Sequence, residues 1–300
     1  PCMHDLISPP SSHSCTPVNS LTLGTNSAAQ SKTDNLASVC VTSHWDSNGM
    51  KPHMSYQAAG GRGLIKENVG GPGASGNNSF VIIWRQSDIE QFIANSIYWG
   101  TFDDSHAGWG HRYATLMGDA TMVNIGISWT DYCSFPVIVE HYETPPKITW
   151  TQEPKLQGTK ITLIGHTTLP GLVEEQLNEL HIYFESPMKE LSYDELSRHG
   201  SYKIGRNCSY NTESCTGILP DIIAIPFCSF CPEKVGETYA EKWTTSDLDG
   251  RYYFEITVDV SSIIDAHGTN GIFTIELVLA DENLGGGWFG LNLYSLYSIW

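Results

Sequence analysis

Apolar and polar residues alternate most clearly in the second half of the chain. In RYYFEITVDV, Tyr252, Phe254, Ile256, Val258 and Val260 recur at every second position, and in GIFTIELVLA so do Phe273, Ile275, Leu277 and Leu279. A period of two places such residues on one face of a strand. DLDG before the first run and HGTNG between the two supply turn residues, so the runs predict neighbouring antiparallel strands. GTKITLIG and NELHIYFES read as further strands.

The first half is less regular. TMVNIGISW alternates Val123, Ile125, Ile127 and Trp129 and predicts a half-buried strand, with FPVIVEHY following as another. VCVTS, from Val39, and FVIIW also read as strands, whereas LIKENVG is not a convincing one. In QSDIEQFIANSIYW the period changes: Ile89, Phe92, Ile93 and Ile97 share one helical face. Ser87 is placed to cap this helix and Glu90 to close a capping box.

The first 36 residues are rich in Ser, Pro, Thr and Asn and predict an extended arm, in which Leu21 and Leu23 alternate as a short added strand would. Pro145-Pro146 marks a boundary. The expected fold is therefore mainly β: an N-terminal arm (1–36) and two β-sandwich domains of immunoglobulin or jelly-roll type (37–144 and 147–300), with one short helix. The chain ends in GGGWFGLNLYSLYSIW, apolar on both faces around Leu291 and Leu293, so this strand is expected to lie inside a sheet or under another molecule.

Composition narrows the setting. Lys and Arg number 16 against 33 Asp and Glu, a net charge of −17 that repels nucleic acid and anionic lipid. No apolar run approaches the roughly 18 residues that span a bilayer. The eight cysteines, Cys2, Cys15, Cys40, Cys133, Cys208, Cys215, Cys228 and Cys231, fit disulfides made in an oxidising compartment. Cys208 to Cys231 is also a possible tetrathiolate zinc spacing, but two disulfides suit this composition better. N-x-S sequons at Asn77 and Asn207 would accept glycans in a eukaryotic source. The chain opens on Pro1-Cys2 with no signal-like segment, and the expectation is a processed, secreted protein.

Candidate chemistry is sparse. In DDSHAGWGHR, Asp103, Asp104, His106 and His111 form a possible metal set, with calcium favoured over a catalytic ion, although the histidines are not at helical i, i+4 spacing. His44, Asp46 and His53 in HWDSNGMKPH pose a weaker version. GPGASG has the letters of a dinucleotide loop without the strand-to-helix setting that loop requires. Glu174-Glu175 reads as a solvated pair. Trp45, Trp109 and Trp288 sit in loop-like sequence, where exposed rings would stack on sugars. Two functions follow as expectations. The first is a secreted, non-enzymatic subunit of an extracellular fibre or other homo-oligomeric assembly, joined by exchange of the arm or the terminal strand. The second is a lectin-like carbohydrate-binding module, with calcium as a possible cofactor.

Overall fold

The computed structural model describes residues 21–71, 84–103, 110–115, 120–131, 133, 135–167, 177–198, 202, 204, 220–227, 237–280 and 291–299. The fold is mainly β, with three open sheets. In the first half the elements are β1 (Thr22–Leu23), α1 (Ala28–Val39), α2 (Pro52–Ala58), β2 (Leu64–Gly70), α3 (Gln86–Phe102), α4 (Gly110–Thr115), β3 (Met122–Ser128) and β4 (Val137–Thr144). The second half has β5 (Ile148–Gln157), β6 (Lys160–Thr167), β7 (Leu177–Glu185), α5 (Tyr193–Arg198), β8 (Ile222–Ile225) and β9 (Glu237–Tyr239). It continues with β10 (Lys242–Leu248), β11 (Arg251–Asp259), α6 (Ser261–His267), β12 (Ile272–Ala280) and β13 (Leu291–Ile299). Six helices among the described residues replace the single one expected.

The second half follows its alternation. β10-β11-β6-β5 form one antiparallel sheet and β13-β12-β7-β8-β9 another. Their inward residues meet in one core that joins Ile161, Leu163, Phe254, Ile256 and Val258 to Leu180, Ile182, Phe273, Ile275 and Leu277.

The first half is a different object from the expected sandwich. Its sheet has the order β1-β3-β4-β2, and helices cover it. Residues 28–36, assigned by composition to an arm, lie in α1, which packs on β3 and β4 with Ala28, Ala29, Lys32, Thr33, Leu36 and Ala37 buried. VCVTS is not a strand: Val39 ends α1, and Cys40 terminates it in the left-handed region at φ 53°. LIKENVG, by contrast, is β2. α3 forms where its periodicity places it, but its cap differs. The N-cap is Arg85, whose backbone N–H donates to Asp88 Oδ2 at 3.1 Å.

β3 inverts its expected orientation. Asn124 and Gly126 are the buried residues, while Ile125 is 43% exposed. The cause is close helix packing: a Cβ on Gly126 would stand 2.2 Å from the Ala29 carbonyl oxygen, so only glycine admits α1 there.

Cys40 and Cys133 form a disulfide that ties the end of α1 to the turn before β4. Cys2, Cys15, Cys208, Cys215, Cys228 and Cys231, together with Asn77, Asn207, Trp109 and Trp288, lie outside the described residues. The two halves are joined by polar contacts. Lys51 Nζ meets Glu185 at 3.0 Å with both side chains buried. The Gln57 amide donates to the Ser298 carbonyl at 2.9 Å and accepts from its N–H at 2.8 Å. Leu191, Leu196, Tyr193 and Tyr202 pack back onto the core of the first half beside Trp45 and Val137.

β13 is an edge strand rather than an interior one, and Gln57 occupies its backbone at Ser298. Three of the other described edges are also poor templates for an incoming strand, whereas β2 and β10 are regular seven-residue edge strands. β1 and β9 span two and three residues. β5 contains Pro154 and two register breaks. Leu21 is partly buried, Leu23 is 74% exposed, and the backbones of Leu291 and Leu293 pair with β12. Among the described residues, no helix is long and apolar enough to cross a membrane.

Candidate functional site

β2 and β4 pair antiparallel, with Glu67 opposite His141 and Asn68 opposite Glu140. Alternation sends the first pair to the α1 face of the sheet and the second to the α3 face. Two polar constellations therefore lie back to back on the same strands.

The inner one is a closed ionic cluster. Glu67 Oε1 meets Lys32 Nζ at 3.0 Å and accepts from His44 Nδ1 at 2.7 Å, while Oε2 accepts from His141 Nε2 at 2.8 Å. Lys32 also donates to the His44 carbonyl at 2.6 Å and stands 3.8 Å from Asp46 Oδ1. The side chains of Lys32, Glu67 and His141 are fully buried. Burial alone would raise the Glu67 carboxyl, but the Lys32 ammonium and the two imidazoles outweigh it and hold Glu67 well below the usual carboxylate range. For Asp46 burial prevails over Lys32, and its carboxyl is raised. His53 is buried, with neither ring nitrogen hydrogen-bonded among the described residues; burial, aided by nearby Lys51, lowers it to about 3 and keeps it neutral. His44 and Asp46 do converge, then, on Glu67 and Lys32, partners that sequence spacing could not name, while His53 stays outside the cluster's bonds.

The outer constellation faces solvent. α3 lies across this face of the sheet and leaves a groove of two adjoining cavities, about 330 and 370 Å³. They share Gly71, Phe92 and Trp99. The inner cavity has Asn68, Glu140, His111 and Thr115 at its polar end. Asn68 Nδ2 donates to the His111 carbonyl and to Thr115 Oγ1, each at 3.1 Å, which ties α4 to β2. Tyr142 donates to Glu140 Oε2 at 2.9 Å. Burial raises the Glu140 carboxyl against the opposing pull of Tyr142, Asn68 and His111.

The outer cavity adds Trp84 and Phe135 to those rings, with Asp88, Gln91 and Asn95 along its rim. Phe135 stacks on Phe92 at 6.3 Å between centroids, so the turn fixed by the disulfide supplies one wall. Trp99 is 55% exposed. Trp84 Nε1 is a buried donor without a hydrogen-bond partner among the described residues.

The residues singled out from sequence fare unevenly. His111 lines the inner cavity, and Asp103 ends α3 on the surface; Asp104 and His106 lie outside the described residues. Among the described residues no group of three or more His, Cys, Asp or Glu is arranged to hold a metal ion. Trp45 is not an exposed stacking ring: it is 3% exposed, with Lys51 Nζ 5.2 Å from its ring centroid. The rings that do face the groove are Trp84, Phe92, Trp99 and Phe135, of which the sequence pattern placed only Phe92 on a packing face. Glu67, Glu140 and His141 went unremarked, although carboxylates and an imidazole inside apolar strand sequence are themselves a signal of buried polar work.

Set against known proteins, the chain matches no family model, and no curated protein shows significant similarity to it.

Proposed function

We propose that this is a secreted, non-enzymatic protein that binds a glycan in the groove along α3. The observation that carries the reading is the lining. Exposed Trp99 and half-buried Phe92 run through both cavities beside the amides Asn68, Gln91 and Asn95 and the carboxyls Asp88 and Glu140. A sugar ring offers an apolar C–H face to aromatic rings and hydroxyls to amides and carboxyls. Each cavity also falls within the roughly 300–1,000 Å³ of small-molecule sites. The Cys40–Cys133 bond and the acidic, Lys-poor composition support an extracellular setting. The two packed sheets of the second half, read as a β-sandwich of immunoglobulin or jelly-roll type, would act as the scaffold.

Assembly into a fibre by arm or strand exchange rests on sequence alone. Its arm falls largely on residues 1–20, outside the described residues; β1, β9 and β5 are short or broken edges and Gln57 occupies β13 at Ser298, while β2 and β10 are regular edges. Immobilised glycan panels test the binding reading. The wild-type protein retains on a defined subset of glycans and Trp99→Ala does not; equal retention by both would overturn it.

A further inference from the structure

We infer that the groove selects a cationic sugar, a hexosamine oligomer with free amino groups, over neutral or acidic glycans. This rests on the glycan reading above and adds the charge of the ligand.

The groove is built for a cation. Among the described residues, neither cavity is lined by Lys or Arg. Arg85 and Arg112 lie on the framing elements but line neither cavity. Carboxyls stand in both chambers, Asp88 at the rim of one and Glu140 at the floor of the other. Between them lie the rings of Trp84, Phe92, Trp99 and Phe135, whose π faces attract an ammonium.

Two further observations point to a ligand of this kind. Glu140 Oε2 accepts from Tyr142 and Asn68, and no hydrogen bond to Oε1 is seen among the described residues, which leaves that oxygen to an ammonium donor. Trp84 Nε1 is a buried donor without an acceptor among the described residues, and a ring hydroxyl offers one. A neutral sugar answers the second of these and leaves the first unanswered. An acidic sugar adds repulsion from Asp88 and Glu140, and from a chain whose net charge is −17.

The test is calorimetric titration of the whole chain with oligomers of one matched length: glucosamine with free amines, the same oligomer N-acetylated, and a uronic acid oligomer. The free-amine oligomer is expected to bind about tenfold tighter than the N-acetylated one, the scale of a cation held over aromatic faces. The uronic oligomer is not expected to bind. Asp88→Asn, on the surface and able to keep its cap, should erase most of the preference for the amine while retaining the N-acetylated oligomer. Glu140→Gln should act in the same direction, and Trp99→Ala should weaken both ligands. Equal affinity for the free-amine and N-acetylated oligomers, or a preference untouched by Asp88→Asn, overturns the charge selection and leaves glycan binding standing. Binding of none of the three across the titration overturns both.

Discussion

Replacing Lys32 by Met should cost about 3–5 kcal/mol of folding stability, the usual penalty for removing one partner of a buried ion pair. Lys32 is 1% exposed, lies 3.0 Å from Glu67 Oε1, and also serves the His44 carbonyl and the edge of Asp46. Methionine keeps the stem's volume and removes the charge. What remains is a fully buried Glu67 with only two imidazoles to meet it. Adding Glu67→Gln to the Lys32→Met variant removes the stranded charge, so the double variant should be more stable than Lys32→Met alone. Urea unfolding followed by tryptophan fluorescence gives both free energies and hence the coupling between the two sites. The sign with pH is also determined. In the wild type Glu67 is depressed, so its stabilisation is complete above about 4.5 and is lost only as pH falls through its lower folded value. In the Lys32→Met variant burial raises Glu67, so the deficit against wild type should shrink on acidification. A loss below about 1 kcal/mol, or one that does not change with pH, would refute the claim that these charges are isolated from water and mutually compensated.

Other outcomes follow from the same structure. Cys40 and Cys133 are 93 residues apart, and the chain-entropy relation assigns such a loop about 4.7 kcal/mol; the Cys40→Ala, Cys133→Ala pair should lower the urea midpoint accordingly, and an unchanged midpoint would mean the bond stabilises nothing. Buried His53 titrates near 3 when folded and near 6.5 when unfolded. Native stability should therefore fall with decreasing pH across that window by about 1.4 kcal/mol per unit from this group, a slope that His53→Gln should remove. His181 has the opposite sign. Burial disfavours its imidazolium, but hydrogen bonds to Glu179 and Glu276 lift it to about 9, so its stabilisation is complete below 6.5 and lost as pH rises through 9. His181→Gln should then differ from wild type most below pH 6.5 and least above 9, as read from thermal midpoints across the range.

How far the sequence reveals this molecule depends on which interaction shapes each element. Tyr252, Phe254, Ile256 and Val258 alternate because sheet burial is all that acts on β11, and every one of them is buried. α1 escaped notice because most of its buried face, Ala28, Ala29, Lys32 and Thr33 ahead of Leu36 and Ala37, resembles a solvated tail in composition. Only the close approach at Gly126 and the partners waiting for Lys32 make that face a core, and both are non-local. The same holds for β3: hydrogen bonds from Asn124 to Glu143, and to Asn124 from the Asn26 N–H, justify burying an amide where alternation would bury Ile125. His44 and Asp46 were visible as chemistry, but β2, whose Glu67 joins His44 and Lys32, reads unconvincingly as a strand. The groove was legible only as separate aromatic letters, because its shape comes from a helix lying over β2 and β4.

Titration of the protein's own tryptophan emission with a glucosamine oligomer tests the groove most directly. A sugar stacked on Trp99 and bonded to Trp84 Nε1 should shift the emission saturably, and Trp84→Phe with Trp99→Ala should abolish the shift while leaving the thermal midpoint near that of wild type. A saturable shift that survives in that variant would place the ligand elsewhere, and no shift in the wild type with this oligomer, its N-acetylated form or the uronic oligomer would contradict glycan binding at α3.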